Sequence, residues 1–345
     1  MLFVVDNFSL LWYNFFMKKE VKQKIIDILL NSQDYVSGES IAREAKVSRS
    51  AVWKHIENLK KEGYEIEGVK NRGYRLVNVG NHLNEKILAS RLSHILTGGV
   101  VLKKQVSSTN KLLRQMAEEG CGKDCLLIAN SQTDGIGRYG RKFFSPADSG
   151  IYFSLLLKPN CEISLTTNVT VAMAVAVAQS IEETLGKQCL IKWVNDLLIE
   201  GKKVCGILTE GSIDVETMSM NFVVVGVGIN LYRPTEGFDH SIKDIAGGLL
   251  PADEKKSLDK NLLVEKIIKN FYDLLKDLRS PRLAESYRAR LAYVGERVQV
   301  LKNGQPIDEG QVLGVDDQFK LKVRLRSNGE IQSLDSGEIS TRLTK

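Results

Sequence analysis

Residues 130–146, NSQTDGIGRYGRKFFSP, set Gly135, Gly137, Arg138, Gly140 and Arg141 within one short stretch. Glycine lets a backbone bend sharply and approach a ligand closely. Arginine supplies a planar cationic fork matched to carboxylate or phosphate. Together they predict a loop that closes over an anion. The Gly135-x-Gly137-x-x-Gly140 spacing also matches a dinucleotide fingerprint, but that motif requires a helix to open at the last glycine. Here RKFFSPADSG follows, with Pro146 and Gly150, and reads as further loop. The chain has no G-x-x-x-x-G-K-[ST] phosphate loop either.

A second group lies in IKWVNDLLIEGKKVCGILTEG, residues 191–211. Lys192, Asn195 and Asp196 follow an apolar strand start. Lys202 and Lys203 follow a turn at Gly201, and Gly206 falls where a second strand would run close to a ligand. Amide, carboxylate and ammonium groups at strand ends can orient a charged ligand. By themselves they read more readily as a solvated hairpin at Lys202 and Lys203 with Asp196 in a turn.

These residues need a frame. Apolar runs at 100–106, 125–132, 150–159, 190–194, 203–211 and 222–231 predict strands, and their length implies a sheet with at least one well-covered face. Helices are predicted between and after them at 83–92, 108–120 (capped by Ser108 or Thr109), 166–186 and 257–278. The third is apolar on nearly all sides and should be buried. The result is an α/β or α+β region of about 200 residues.

Ahead of it, residues 17–78 carry 13 Lys and Arg against 9 Asp and Glu, so much of the net charge of +6 sits in the first fifth of the chain. Val21, Ile25, Ile28 and Leu29 form one helical stripe. Ser37 or Ser40 caps a second helix carrying Ile41 and Ala45. Ser48 caps a third with Val52, Ile56 and Leu59 inward, and Gly63 ends it. Two short strands flank the tip Lys70-Asn71-Arg72-Gly73. This order predicts a winged helix-turn-helix. Arg49, Ser50, Trp53 and Lys54 would meet the DNA groove, with Lys60 and Lys61 near the helix end. Lys70, Arg72 and Arg75 would meet phosphate or the minor groove. Trp53 fits the helix core as well. A small helical module with a solvated basic face is the plainer alternative.

From residue 293 onward charges balance at 8 against 8. Apolar and polar residues alternate, and Asn303-Gly304 and Asn328-Gly329 signal hairpins, which predicts a small five-stranded SH3-like barrel. Five cysteines, Cys121, Cys125, Cys161, Cys189 and Cys205, form no C-x-x-C, and the four histidines are scattered. Neither a disulfide framework nor a protein-held metal cluster is expected, and reduced thiols point to the cytoplasm. Residues 1–16 fit a secretory signal poorly and are too short to span a bilayer. They read as a mis-assigned start ahead of Met17 or a disordered extension, with a membrane-surface anchor as the lesser alternative.

STN at 108–110, SQTDGIGRYGRKFFSP, KWVNDLLIEGKKVCGILTE and VGVGIN occur in an order and spacing that resemble the biotin–protein ligases. With the N-terminal reader in front, the chain resembles the bifunctional type that also represses the biotin operon. The likeness covers about residues 18–345. It implies an α+β multidomain chain: a winged helix domain at 17–78, a linker at 79–84, a mixed-sheet catalytic domain of the biotin/lipoate ligase type at 85–292, and an SH3-like domain at 293–345. The implied reaction joins biotin to ATP, giving biotinyl-5′-adenylate and pyrophosphate, then passes biotin to a lysine of a carrier domain such as that of acetyl-CoA carboxylase.

The resemblance also assigns roles. Arg138, Lys203 and Asp196 would be catalytic, with magnesium entering on ATP near Asp196. Ser108, Thr109, Asn110, Gln132, Ile136, Gly137, Arg138 and Lys203 would meet biotin. Gly135, Arg141, Phe143, Lys192, Asn195, Gly206 and Asn230 would meet ATP or the adenylate. A homodimer on operator DNA is implied once adenylate is bound. Three positions depart from the family pattern: Ile136 stands for an arginine, Val194 for a proline and Phe143 for a tryptophan. Ile242 is expected to cover adenine where some members stack a tryptophan. The loss of a charge at Ile136 keeps open a DNA-binding biotin sensor with vestigial ligase activity. A lipoate or other acyl ligase is a further alternative, since that fold is shared.

Overall fold

The computed structural model describes residues 21–32, 34–158, 166–214, 219–234, 236–251, 258–302, 305–335 and 339–343. The expectations for residues 1–16 and for the Asn303-Gly304 turn lie outside these. The described residues form two compact units. One comprises those up to His82 with Leu258 and Asp259, and the other comprises the rest from Leu83.

In the first unit, helix α1 spans 21–30, α2 Gly38–Ala45 and α3 Arg49–Lys61. Ser37 caps α2 by accepting from the Ser40 amide, and Ser48 caps α3 by accepting from Ala51. Each satisfies a donor the helix cannot pair internally. Between them Lys46 takes a left-handed conformation that ends α2. Ile25, Leu29, Ile41, Val52, Ile56, Leu59 and Ile66 close the core. Strands β1 (Glu65–Val69) and β2 (Gly73–Asn78) form an antiparallel hairpin. Val36 pairs with Tyr74 and widens the hairpin by one bridge. Gly73 is required there: at φ +108°, a methyl group would fall 2.0 Å from the Val36 carbonyl oxygen.

The second unit is built on a seven-stranded sheet. Its strands are β3 (Val100–Lys103), β4 (Cys125–Ala129), β5 (Gly150–Leu157), β6 (Leu190–Lys192), β7 (Asp196–Ile199), β8 (Lys202–Asp214) and β9 (Ser219–Asn230). They lie in the order β3-β4-β5-β9-β8-β7-β6, parallel only between β3 and β4. Helix α4 (Glu85–Leu92) precedes β3, and α5 (Thr109–Glu118) packs on β5 and β9. Helix α6 (Thr166–Leu185) is buried from Asn168 to Ala178, as its all-round apolar sequence requires. It packs on α7 (Lys260–Leu275) and α8 (Pro281–Arg288). Among the described residues no helix is long and apolar enough to cross a membrane.

Two strands stop before their apolar runs do. β3 ends at Lys103, and Val106 then makes a lone bridge to Gln132. β6 ends at Lys192 because the next residues turn away: the Trp193 indole donates to the Phe319 carbonyl at 2.9 Å, and Val194 is buried. Phe319 belongs to the C-terminal part, where β10 (Arg297–Lys302), β11 (Gln305–Val315), β12 (Leu321–Leu325), β13 (Ile331–Leu334) and β14 (Ile339–Leu343) form one antiparallel sheet ordered β13-β12-β11-β10-β14. Gly329, at φ +72°, lies in the loop joining β12 to β13.

Candidate functional site

Register builds the floor of the site. Gly206 of β8 pairs with Gly228 of β9, which pairs with Tyr152 of β5; one step along, Gly226 pairs with both Leu208 and Ser154. The absence of side chains lets two groups lie directly on the backbone. The Phe143 ring covers Gly206 and Gly228, where a built Cβ would come 3.1 and 2.3 Å from ring carbons. Asn110 covers Gly226, with its Oδ1 2.1 Å from the built Cβ.

The glycine–arginine stretch forms a compact hairpin over this floor. Ile136 bridges Lys142, the Gly137 amide donates to the Arg141 carbonyl at 2.7 Å, and Phe143 N–H donates to Gly135 at 2.8 Å. Tyr139 and Gly140 turn the tip with positive φ, around a 3-10 turn at Arg138–Gly140. Gly135 admits no side chain, since a Cβ would meet the Phe143 oxygen at 2.5 Å and Ser145 Oγ at 2.8 Å. At the hairpin exit, Tyr152 donates to Pro146 at 3.0 Å, and burial pushes its phenol up to about 12, so it remains a donor.

Arg138, Asn195, Asp196, Lys203, Phe143 and Gly206 come together. Arg138 Nη1 donates to Asn195 Oδ1 at 3.1 Å and Nη2 to the Tyr139 hydroxyl at 3.0 Å. Asn195 Nδ2 donates to the Ile207 carbonyl at 2.7 Å, which fixes the amide that receives the guanidinium. Lys203 Nζ lies 2.7 Å from Asp196 Oδ1 and 5.9 Å from the Phe143 ring centre. The tight turn at Glu200-Gly201, with φ of 50° and 74°, brings the lysine strand back beside Asp196. A cleft of about 320 Å³ opens between Arg138, Tyr139, Thr170 of α6 and Ile207 and Thr209 of β8.

A second set adjoins it. Ser108, Thr109 and Asn110 are buried at the start of α5. Ser108 occupies the N-cap position without a capping bond from its side chain. Gln132 Oε1 accepts from the Thr109 amide at 2.8 Å, and Gln132 Nε2 donates to Ser145 Oγ at 3.0 Å. The remaining expected residues take other positions. Arg141 is exposed with its guanidinium 5.9 Å from the Tyr139 ring. Lys192 sits opposite Asp196 in the ladder, and Asn230 is buried at the end of β9 beside Gly150. Ile136 meets Lys142 through its backbone. Ile242 is half-buried in a turn that leads to Ile245, whose carbonyl accepts from Lys203 N at 2.7 Å. Among the described residues no group of three or more His, Cys, Asp or Glu side chains is arranged to hold a metal ion.

Sequence reasoning passed over Ser154 and Glu210. Ser154 is the lone hydroxyl-bearing serine in a fully buried strand, a signal that a partner must be present. It lies 2.6 Å from Asn110 Oδ1, and Glu210 Oε2 accepts from Asn110 Nδ2 at 2.7 Å.

In the first unit Arg49, Ser50 and Lys54 are exposed on α3, and Trp53 is 59% exposed, so it is not a core residue. Lys70 and Arg72 are exposed at the wing tip. Arg72 pairs with Asp34 at 3.2 Å and stacks on Tyr35, while Arg75 pairs with Glu67 at 2.8 Å.

The model of the biotin/lipoate A/B protein ligase family matches residues 102–230, over the sheet and hairpin just described. An HTH domain matches 21–75 and a biotin protein ligase C terminal domain matches 293–342. The bifunctional ligase/repressor BirA of Bacillus subtilis strain 168 is 35% identical over 331 residues, covering 94% of this chain and 99% of that protein. The chain belongs to the bifunctional biotin ligase/repressor family. The Escherichia coli K12 member is 28% identical over 93% of this chain and 97% of its own length. Among solved structures, the biotin protein ligase of Aquifex aeolicus in complex with biotin and ATP aligns with a TM-score of 0.56 at 26% identity. It covers 71% of this chain and 99% of that one. Both family halves are thus present, the reader and the ligase fold.

Proposed function

We propose that this chain makes biotinyl-5′-adenylate from biotin and ATP, transfers the biotinyl group to a carrier lysine, and represses transcription through its N-terminal unit. The observation that carries the ligase reading is the meeting of Arg138 and Lys203 from two separate hairpins on one glycine floor. In the first step a biotin carboxylate oxygen bonds to the α-phosphorus of ATP and the bond to the β-phosphate oxygen breaks, releasing pyrophosphate. Two anions must approach, and preset cations offset their repulsion. Arg138 is held for this by Asn195, and Lys203 by Asp196. In the second step the carrier amine attacks the acyl carbon and AMP leaves. The hairpin lid shields that anhydride from water.

Thr109, Asn110 and Gln132 supply polar partners for the ureido ring, while Phe143 offers an apolar wall. Asp196 would help hold the magnesium that ATP carries, which would offset charge on the phosphates. The carrier is a biotin carboxyl carrier domain, and the DNA partner is an operator met by α3 and the wing. Adenylate binding drives homodimerisation, and two-fold symmetry then calls for palindromic half-sites. Free thiols among the described residues and the use of ATP accord with a cytoplasmic setting.

The full chain, supplied with biotin, magnesium and α-labelled ATP, is expected to form adenylate and label a carrier domain. Lys203→Ala should slow adenylate formation roughly 10- to 150-fold, the range of one charge-assisted hydrogen bond, with unchanged melting. A wild-type chain that makes no adenylate defeats the reading. Operator binding without carrier labelling would instead favour a sensor with vestigial ligase activity.

A further inference from the structure

Lys203 sits where β8 has outrun β9. The pairing of the two strands begins only at Cys205, opposite Ile229. Backbone groups left without a ladder partner must be satisfied elsewhere. The Lys203 N–H donates to the Ile245 carbonyl at 2.7 Å, and the Lys203 carbonyl accepts from the Gly247 N–H at 2.9 Å. Beside it, the Lys202 ammonium donates to the Asp244 carbonyl. The same segment then crosses to the end of β9. Leu249 N–H donates to the Asn230 carbonyl at 3.0 Å, and Leu250 N–H to that of Leu231 at 2.8 Å. Residues 244–250 thus form a strap that ties the start of the lysine strand to the end of β9.

Two glycines let the strap lie this close. A Cβ at Gly247 would meet Lys202 Cβ at 2.7 Å and Val204 Cγ1 at 3.7 Å, the residues on either side of Lys203. Lys202 Cβ is fixed to its own backbone, so side-chain rotation offers no escape. A Cβ at Gly248 would meet Arg233 N and the Tyr232 carbonyl carbon, both at 2.9 Å. Neither glycine has a positive φ, so contact alone bars a side chain. Holding Lys203 by both its backbone groups fixes where its side chain starts. The amine ends 2.7 Å from Asp196 Oδ1 and 3.1 Å from the position that a Cβ on Gly206 would take. It therefore lies along the glycine floor.

We propose that Gly247 is a positioning residue for Lys203, and that the strap it belongs to sets the lysine amine against the reacting anions. This rests on the reading that Lys203 acts on the biotin carboxylate and the α-phosphate. Gly247 acts at one remove, through the backbone of β8. A methyl group at 247 drives the strap and β8 apart by about 1 Å, the shortfall from ordinary carbon contact. A displacement of that order at a reacting group can cost about 100-fold in rate. The amine then leaves its place over Gly206, while every charge in the site remains.

The test measures kcat, and KM for biotin and for ATP, in adenylate formation by the full chain. The variants are Gly247→Ala, Lys203→Ala and the two combined. Gly247→Ala should lower kcat by about tenfold or more and leave both KM values within about twofold. In the combined variant kcat should equal that of Lys203→Ala, because the amine to be misplaced is already gone. A Gly247→Ala chain with wild-type kcat overturns the inference. So does an equal drop in kcat when it is added to Lys203→Ala, which would mark a general structural role. A wild type that makes no adenylate defeats the proposed function and this inference with it; every other refuting outcome defeats this inference alone. Where Gly247→Ala does not fold, Lys202→Met replaces it, keeping the stem and releasing the strap at Asp244. It should lower kcat about threefold or more when Lys203 is present, the effect of one lost hydrogen bond, and not when Lys203 is absent. Equal losses in both backgrounds, or none in either, refute the positioning role.

Discussion

Replacing Gly226 with alanine presses directly on Asn110. The new methyl would come 2.1 Å from Asn110 Oδ1 and 2.8 Å from its Cγ, and the first approach is more than about 1 Å inside ordinary contact. Asn110 cannot yield cheaply, because Glu210, Leu208 and Ser154 hold its amide at 2.7, 3.3 and 2.6 Å. Moving it forfeits these bonds at about 1 kcal/mol each, so about 3 kcal/mol in all. For a unit of this size that lowers Tm by roughly 6–12 °C. Biotin affinity should fall with it, since the Thr109 hydroxyl loses its fixed partner. Gly211→Ala is the control. Its methyl also overlaps a side chain, at 2.4 Å, but the atom is Met220 Cε, the mobile end of a thioether that rotates away. Its cost should stay below about 1 kcal/mol. Thermal melts followed by circular dichroism and biotin calorimetry read both effects. Gly226→Ala with wild-type Tm and wild-type biotin affinity would refute the claim that Asn110 is pinned.

Arg49→Ala and Lys70→Ala should each reduce the slope of log K against log salt for operator binding by about 0.9, as for one phosphate contact. Fluorescence anisotropy across salt concentrations measures this, and unchanged slopes in both would remove that DNA-binding face. Iodoacetamide on the native chain at pH 8 should alkylate the half-buried Cys121 and spare Cys125, Cys189 and Cys205. Burial pushes the Cys125 and Cys189 thiols up to about 12 and Cys205 higher still, so their thiolates are scarce as well as inaccessible. Peptide mass spectrometry gives the order of labelling. Rapid reaction at Cys205 would contradict the packing of β8.

The lid, the lysine hairpin and the DNA-reading unit are legible in the sequence because their chemistry is carried by residue type over short distances. Gly135 to Arg141 form a hairpin from their own backbone bonds, and Ser37 and Ser48 cap the helices that follow them. Where a partner comes from far along the chain, type and spacing stop informing. The apolar run through Trp193 outlasts β6 because the indole is claimed by Phe319, 126 residues on. Arg72 carries the charge expected of a phosphate contact, yet Asp34 and Tyr35 engage it. DNA binding through Arg72 must therefore displace a carboxylate, an exchange Lys70 and Arg49 do not share among the described salt bridges.

Ser154 and Glu210 show the same limit most clearly. Nothing local to either names a ligand. Their meaning comes from register, which sets Ser154 and Leu208 on either side of Gly226 and leaves the space that Asn110 fills. This difference separates two kinds of control in the site. The cations of the lid act through charge, so removing one weakens the attraction for any anion placed there. The hydrogen bonds that Glu210, Leu208 and Ser154 make to Asn110 act through direction, and disturbing them should leave the charges of Arg138 and Lys203 in place. On the proposed function, substitutions at Glu210 should therefore move the biotin KM while substitutions at Lys203 move kcat.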